Sequence, residues 1–269
     1  MMMRDGARSI DLNCDLGEGA THDAELMPLV SSANIACGEH AGDAGTMAAA
    51  VALARRHGVA IGAHPGHADR EYHGRRELPI TPEEAAALVV RQVSALAEVA
   101  GEPPRHVKLH GGLYHQVGRD PALAAAVVDG LVAHWPDAVL VAFAGSPLVA
   151  VARSRGLAVA EEAFIDRGYA PDGTLVPRSQ PGGMISDVRD AAVRAVRLVE
   201  RGAIVAIDGT EIPVRADPLC LHGDGPDAVA MARAVRSAFG AAGIEVRRRG
   251  DGHAGETQHG RGTPRPPAV

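Results

Sequence analysis

Short apolar runs alternate with longer Ala-rich stretches along the chain, and this alternation predicts repeated strand–helix units around a parallel sheet. The segments Ser9–Cys14, Ser32–Cys37, Val59–Ala63, His106–Leu109, Val139–Ala142, Leu157–Glu161 and Pro218–His222 read as strands. Helices fill the gaps. Thr81-Pro82-Glu83-Glu84 is a helix start, with Thr as cap, Pro in the first turn and Glu three residues on, and an apolar stripe then runs to Ala100. Asp120-Pro121, Ser146-Pro147 and Gly225-Pro226 open further helices by the same logic. No linker-like shift interrupts the seven units, so residues 1–246 are expected to form a single α/β barrel domain and 247–269 a polar, Gly/Pro-rich disordered tail. Two segments break the rhythm. Residues 164–186 form a long Gly/Pro-rich excursion of the kind that serves as a lid or binding loop, and 204–214 read as a hairpin turning at Asp208-Gly209.

Composition narrows the class. With 46% hydrophobic but only 3% aromatic residues, the core must be built from Ala, Val, Leu and Ile. A net charge of -6 offers no field for a phosphate backbone, so small molecules are expected as partners and nucleic acid is not. Residues 1–10 lack the apolar core of a signal peptide, and no apolar run approaches the roughly 20 residues of a membrane helix. No membrane association is expected, and the expected location is the cytoplasm. Three cysteines without a CxxC pair read as buried free thiols.

Reacting groups in parallel α/β barrels sit at the C-terminal ends of strands, and this chain fills those positions with polar residues. The first strand ends in Asn13-Cys14-Asp15 with Glu18 beyond, and the second has Asn34 followed by Glu39-His40. His64, the pair Lys108 and His110, and His222 with Asp224 follow at later strand ends. Asp15, His40 and His64 could bind a divalent metal through one oxygen and two nitrogens, or could hydrogen-bond a substrate directly. Asp15 or Glu18, crowded by apolar walls and a second acid, could be tuned towards neutral pH as general base. Lys108 could neutralise an oxyanion or phosphate, or pair with Asp15 for structure; two positions on, His110 should face the same mouth. Asn13, Asn34, His222 and Asp224 are candidates for substrate binding. The turn from His222 to Asp227 sits where barrels hold phosphate, yet its two aspartates favour a metal-bridged phosphate or simple helix capping. No GxxxxGK[ST] loop is present, so nucleotide chemistry needs a partner protein.

At these residues the chain closely resembles the LamB/YcsF family. The matching stretches are IDLNCDLGEG (10–19), PLVSSANIACGEHAGD (28–43), GVAIGAHPG (58–66), GRRE (74–77), HVKLHGGLY (106–114), EAFIDRGYAPDGTLVPRSQPG (162–182), IDGTEIP (207–213) and LHGD (221–224). The resemblance implies an irregular (β/α)7 barrel like those of glycoside hydrolases and deacetylases. It further implies 5-oxoprolinase activity: opening 5-oxo-L-proline to L-glutamate with ATP hydrolysis, in a complex with B and C subunits that share the binding of ATP. In that setting Arg178 suits a clamp on the substrate carboxylate. Glu39, Leu109, Gly112 and His115 stand where the family usually has Phe, Pro, Ala and Asn. His67 and His73 replace common aromatics, and the loop after Gly19 is short. Asp15, His40 and His64 keep open an independent metal-dependent hydrolase or deacetylase acting on a small amide or sugar, and the altered positions around Glu39 and Leu109 keep open a non-catalytic ligand-binding member.

Overall fold

A computed structural model describes residues 8–248. In chain order the elements are β1 (Arg8–Leu16), α1 (Asp23–Leu26), β2 (Ser32–Ala36), α2 (Ala44–His57), β3 (Ala60–His64), α3 (Pro82–Ala100), β4 (His106–Lys108), α4 (Gly111–Arg119) and α5 (Pro121–His134). Then follow β5 (Val139–Phe143), α6 (Pro147–Ser154), β6 (Val159–Phe164), α7 (Val188–Arg201), β7 (Ala203–Val205), β8 (Glu211–Pro213), β9 (Pro218–His222), α8 (Ala228–Ala241) and β10 (Ile244–Val246). Strands β1 to β6 and β9 pair in parallel in that order, and β9 returns to β1, closing a seven-stranded barrel inside a layer of helices. All seven strands expected from the sequence are present.

The local signals act as the sequence predicts. Thr81 and Glu84 form a reciprocal capping box on α3, Gly101 ends the helix in the left-handed conformation, and Leu88, Val89, Val93 and Leu96 are buried. Burying each such side chain contributes about 1.5–3 kcal/mol. The hairpin β7–β8 turns at Asp208-Gly209, where Asp208 accepts from the Thr210 amide at 2.9 Å. The last helix starts at Ala228, two residues beyond Pro226, and Asp227 makes no side-chain cap bond, which removes the capping explanation for that aspartate.

Two features lie outside the expected pattern. The long β1 serves two partners: Arg8–Ile10 pair with β10, and the remainder pairs with β2 and β9. The Arg247 amide still donates to the Ile10 carbonyl at 3.0 Å, so the barrel's bonding reaches past the expected boundary at 246. The rest of the expected tail, 249–269, lies outside the described residues. The excursion after β6 is held by its own bonds: Arg167 donates to the Gly183 and Val176 carbonyls, and the buried Tyr169 hydroxyl accepts from the Phe164 amide. Two of the three phenylalanines, Phe143 and Phe164, gather with Tyr169 at the barrel mouth.

Candidate active site

A cavity of about 1030 Å³ opens at the C-terminal ends of the strands. It is lined by Asp15, Glu18, His64, Lys108, His110, Arg178, His222 and Asp224 among others, so eight of the sequence-selected side chains share one chamber. Lys108 and His110 do face the same mouth.

The floor is a buried ionic cage. Lys108 Nζ lies 3.0 Å from Asp15 Oδ1 and 3.2 Å from Glu162 Oε2, and donates also to Asn13 Oδ1 and Cys220 Sγ. Burial alone would lower the Lys108 ammonium, but the facing carboxylates hold it well above the usual lysine value. An ammonium has three donors, and all three are engaged inside the cage. Neutralising the two carboxylates therefore fits Lys108 better than contacting a substrate oxygen.

Asn13 and Asn34 lie deeper than the other candidates. Both are almost fully buried and lie outside the cavity lining, joined by a 2.7 Å bond from Asn34 Nδ2 to Asn13 Oδ1. Asn34 also donates to Asp15 at 2.8 Å and meets His106 Nε2 at 2.8 Å. They support the floor from beneath. Gly62 makes this layer possible, because a methyl at that position would overlap the His106 ring.

The surroundings of Asp15 and Glu18 favour ionised carboxylates over tuning towards neutral pH. Burial alone would raise the Asp15 carboxyl, but His64 and Lys108 hold it well below the carboxylate range. Burial likewise opposes the charge on Glu18, yet His40 and His110 pull it down to about 2. A base with so low a pKa accepts protons poorly at neutral pH.

The imidazoles gather around Glu18 more than around Asp15. Glu18 Oε1 lies 3.4 Å from His40 Nε2, 3.3 Å from His110 Nδ1 and 3.8 Å from His64 Nε2. Asp15 reaches only His64, with Oδ2 3.4 Å from Nε2. Two groups of side chains bring possible metal-donor atoms within 4.8 Å of one another, Glu18 with His40, His64 and His110, and Asp15 with Cys220 and His222. The expected Asp15, His40 and His64 are thus divided between the two groups, with Asp15 also held by Lys108.

Opposite this cluster, Asp166 accepts from both the backbone amide and Nδ1 of His222, each at 2.8 Å. Burial would raise the Asp166 carboxyl, but His222 keeps it below its ordinary value. The ionised Asp166 fixes the Nδ1–H tautomer, so His222 Nε2 carries the lone pair. The His222 ring also stacks on Phe164, with centroids 5.4 Å apart. At the rim, Arg178 Nη1 lies 3.4 Å from Asp224 Oδ2, which also pairs with Arg75. Asp224 thus organises the arginines. The three cysteines are free and buried, and burial pushes the Cys37 thiol up to about 12.

Sequence reasoning missed Glu162 and Asp166. Glu162 is wholly buried in β6, where the pair Glu161-Glu162 near a strand end is the available signal. Asp166 opens the loop after that strand, inside the matching EAFIDRG stretch.

A closed seven-stranded α/β barrel with a polar mouth defines the structural class, and its outline is shared with a family 4 carbohydrate esterase from Streptomyces lividans. That likeness, at a TM-score of 0.51 and 9% identity over 89% of this chain and 91% of the other, is one of fold alone. The chain itself belongs to the LamB/YcsF family, whose model matches residues 10–253. It is 49% identical over 248 residues to the A subunit of the 5-oxoprolinase of Methylococcus capsulatus, covering 89% of this chain and 95% of that one. The crystal structure of the lactam utilization protein from Thermus thermophilus is 47% identical with a TM-score of 0.83, covering 89% of this chain and 99% of that one. Among the described residues no helix is long and apolar enough to cross a membrane.

Proposed function

We propose that this chain is the A subunit of a cytoplasmic, ATP-dependent 5-oxoprolinase that opens 5-oxo-L-proline to L-glutamate together with B and C subunits. The observation that carries the reading is the 49% identity to the A subunit of a 5-oxoprolinase over nearly the full length of both chains. The geometry agrees with it chemically. A lactam carbonyl is a poor electrophile, and phosphorylation of its oxygen by ATP makes that oxygen a leaving group. The chain has no P-loop, so ATP is assigned to a site completed by the partners.

Within the cavity His222, held by Asp166, is the base for the attacking water, because its Nε2 lone pair is free while Asp15 and Glu18 are held too acidic. Water adds to the lactam carbon as His222 takes its proton. The ring C–N bond then breaks as the nitrogen gains a proton to become the amine, leaving an acyl phosphate of glutamate, and a second water displaces the phosphate to form the side-chain carboxylate. Arg178 receives the substrate carboxylate, exchanging part of its pairing with Asp224. Lys108, Asp15 and Asn34 keep the floor rigid.

A second reading, a hydrolase acting alone on a small amide or sugar, is favoured by the imidazole cluster. Leaving out one component at a time separates the two. The purified chain and the B and C subunits are assayed singly and together for glutamate formed from 5-oxo-L-proline and for ATP consumed. The proposal requires both products only from the full set; hydrolysis by the isolated chain without ATP supports the second reading.

A further inference from the structure

The tautomers of two buried histidines bring two unprotonated ring nitrogens together. His64 Nδ1 lies 2.8 Å from the Lys108 carbonyl and His110 Nε2 lies 2.7 Å from the His73 carbonyl. A carbonyl only accepts, so each of those nitrogens carries the ring's hydrogen. The other nitrogens, His64 Nε2 and His110 Nδ1, then bear lone pairs, and they face each other at 2.9 Å. Glu18 Oε1, a third acceptor, points at the same spot from 3.3 and 3.8 Å. Two lone pairs and an anionic oxygen in such proximity repel unless a proton or a metal cation lies among them.

His40 supplies the second observation. Its side chain is wholly buried, neither ring nitrogen has a hydrogen-bond partner, and Glu18 Oε1 is likewise buried without one. Such orphaned groups cost about 1–3 kcal/mol each. A shared proton could bridge only one of these contacts and would leave His40 and Glu18 unsatisfied.

From this we infer that Glu18 Oε1, His40 Nε2, His64 Nε2 and His110 Nδ1 form a four-donor site for a transition-metal dication of the zinc or cobalt class. With metal–donor bonds of roughly 2.0–2.1 Å, donors around a tetrahedral ion stand roughly 3.3 Å apart. Four of the six separations, 2.9, 3.3, 3.4 and 3.8 Å, bracket that spacing, and because His40 stacks on His110 with planes 5° apart its ring turns to aim Nε2 at the shared ion. Three imidazoles and one carboxylate suit zinc, cobalt or nickel, whereas magnesium and calcium prefer oxygen donors. The supporting shell matches the demand as well: the Lys108 and His73 carbonyls orient two of the rings, as outer-shell acceptors do in metal sites. His73 holds its carbonyl there from a backbone φ of 51°, the one positive value outside glycine among the described residues. Gly74 permits the close stacking of His40 on His110, since an added Cβ would lie 2.7 Å from His40 Cβ.

The site forms one wall of the cavity. Glu18, His64 and His110 line the chamber while His40 closes the site from behind. This is not the Asp-His-His set of the sequence reading, and it does not depend on which substrate the cavity takes.

The test is metal binding by the full chain, with turnover left aside. Chelator-treated protein is titrated with zinc chloride and separately with cobalt chloride, followed by elemental analysis after gel filtration and by visible absorption of the cobalt form. The expected result is about one equivalent of either ion per folded chain and the intense visible bands of four-coordinate cobalt, undiminished by excess magnesium. Glu18→Gln and His40→Ala, checked for folding by circular dichroism, should each weaken cobalt binding at least about tenfold. Folded wild type that retains neither ion, a six-coordinate cobalt spectrum, or unchanged binding in both variants overturns the site. Wild-type stoichiometry and spectrum decide the matter even if a variant does not fold.

Discussion

Asp166 accepts the Nδ1–H of His222 at 2.8 Å and the His222 backbone amide at the same distance, so one carboxylate sets both the tautomer and the position of that imidazole. Asp166→Asn keeps the shape but presents an amide that can donate to Nδ1 and so stabilise the wrong tautomer. Turnover of 5-oxoproline by the assembled enzyme should fall about 10²–10⁴-fold. The KM for 5-oxoproline should change little, and secondary structure should persist. A near-normal kcat would reduce Asp166 to a residue that merely anchors β9.

Lys108 sits between Asp15 at 3.0 Å and Glu162 at 3.2 Å, with almost no solvent contact. Removing one partner of a buried ion pair leaves uncompensated charge and costs about 3–5 kcal/mol. Lys108→Met should therefore destabilise the protein by that amount in urea denaturation, in addition to lowering turnover. Adding Glu162→Gln should recover part of the loss, because it removes one of the stranded charges. Equal stability of Lys108→Met and wild type would show that water enters the cage.

His106 predicts an acid-side pH dependence of stability. Burial, with Lys108 and His64 adding, pushes its imidazole down to about 3, against an ordinary value near 6.5 in the unfolded chain. Between those values only the unfolded state takes up the proton. The stabilising contribution is thus complete above about pH 6.5 and is lost as pH falls from there towards about 3, by at most about 1.4 kcal/mol per pH unit. His106→Gln should flatten the stability profile over about pH 6.5–4.5, before carboxylates dominate. Parallel profiles for variant and wild type would contradict a neutral buried His106.

Much of the barrel was legible because β-type runs and helix caps are local signals. The Thr81 box and the Asp208-Gly209 turn each act within four residues. Strand β10 escaped because Ile244–Val246 is too short to show a period and owes its place to the distant Arg8–Ile10. The candidate site divided along the same line. That Asp15, His64, Lys108 and His222 meet follows from their shared position at strand ends. Their partners depend on which way each side chain leans across the barrel. Glu18, from the loop after β1, reaches three imidazoles, while Asp15 is captured by Lys108. Asn13, two positions before Asp15 on β1, and Asn34, the register partner of Asp15 on β2, bond to each other below the floor.

Whether ring opening takes place in this barrel's cavity is tested most directly by glutamate formation from 5-oxo-L-proline in the three-subunit enzyme carrying either the wild-type chain or His222→Gln. The expected result is ATP-dependent glutamate from the wild type and at least about 10²-fold less from the variant, with complex assembly and circular dichroism unchanged. Equal glutamate production by the two enzymes would contradict the placement of ring opening in the cavity.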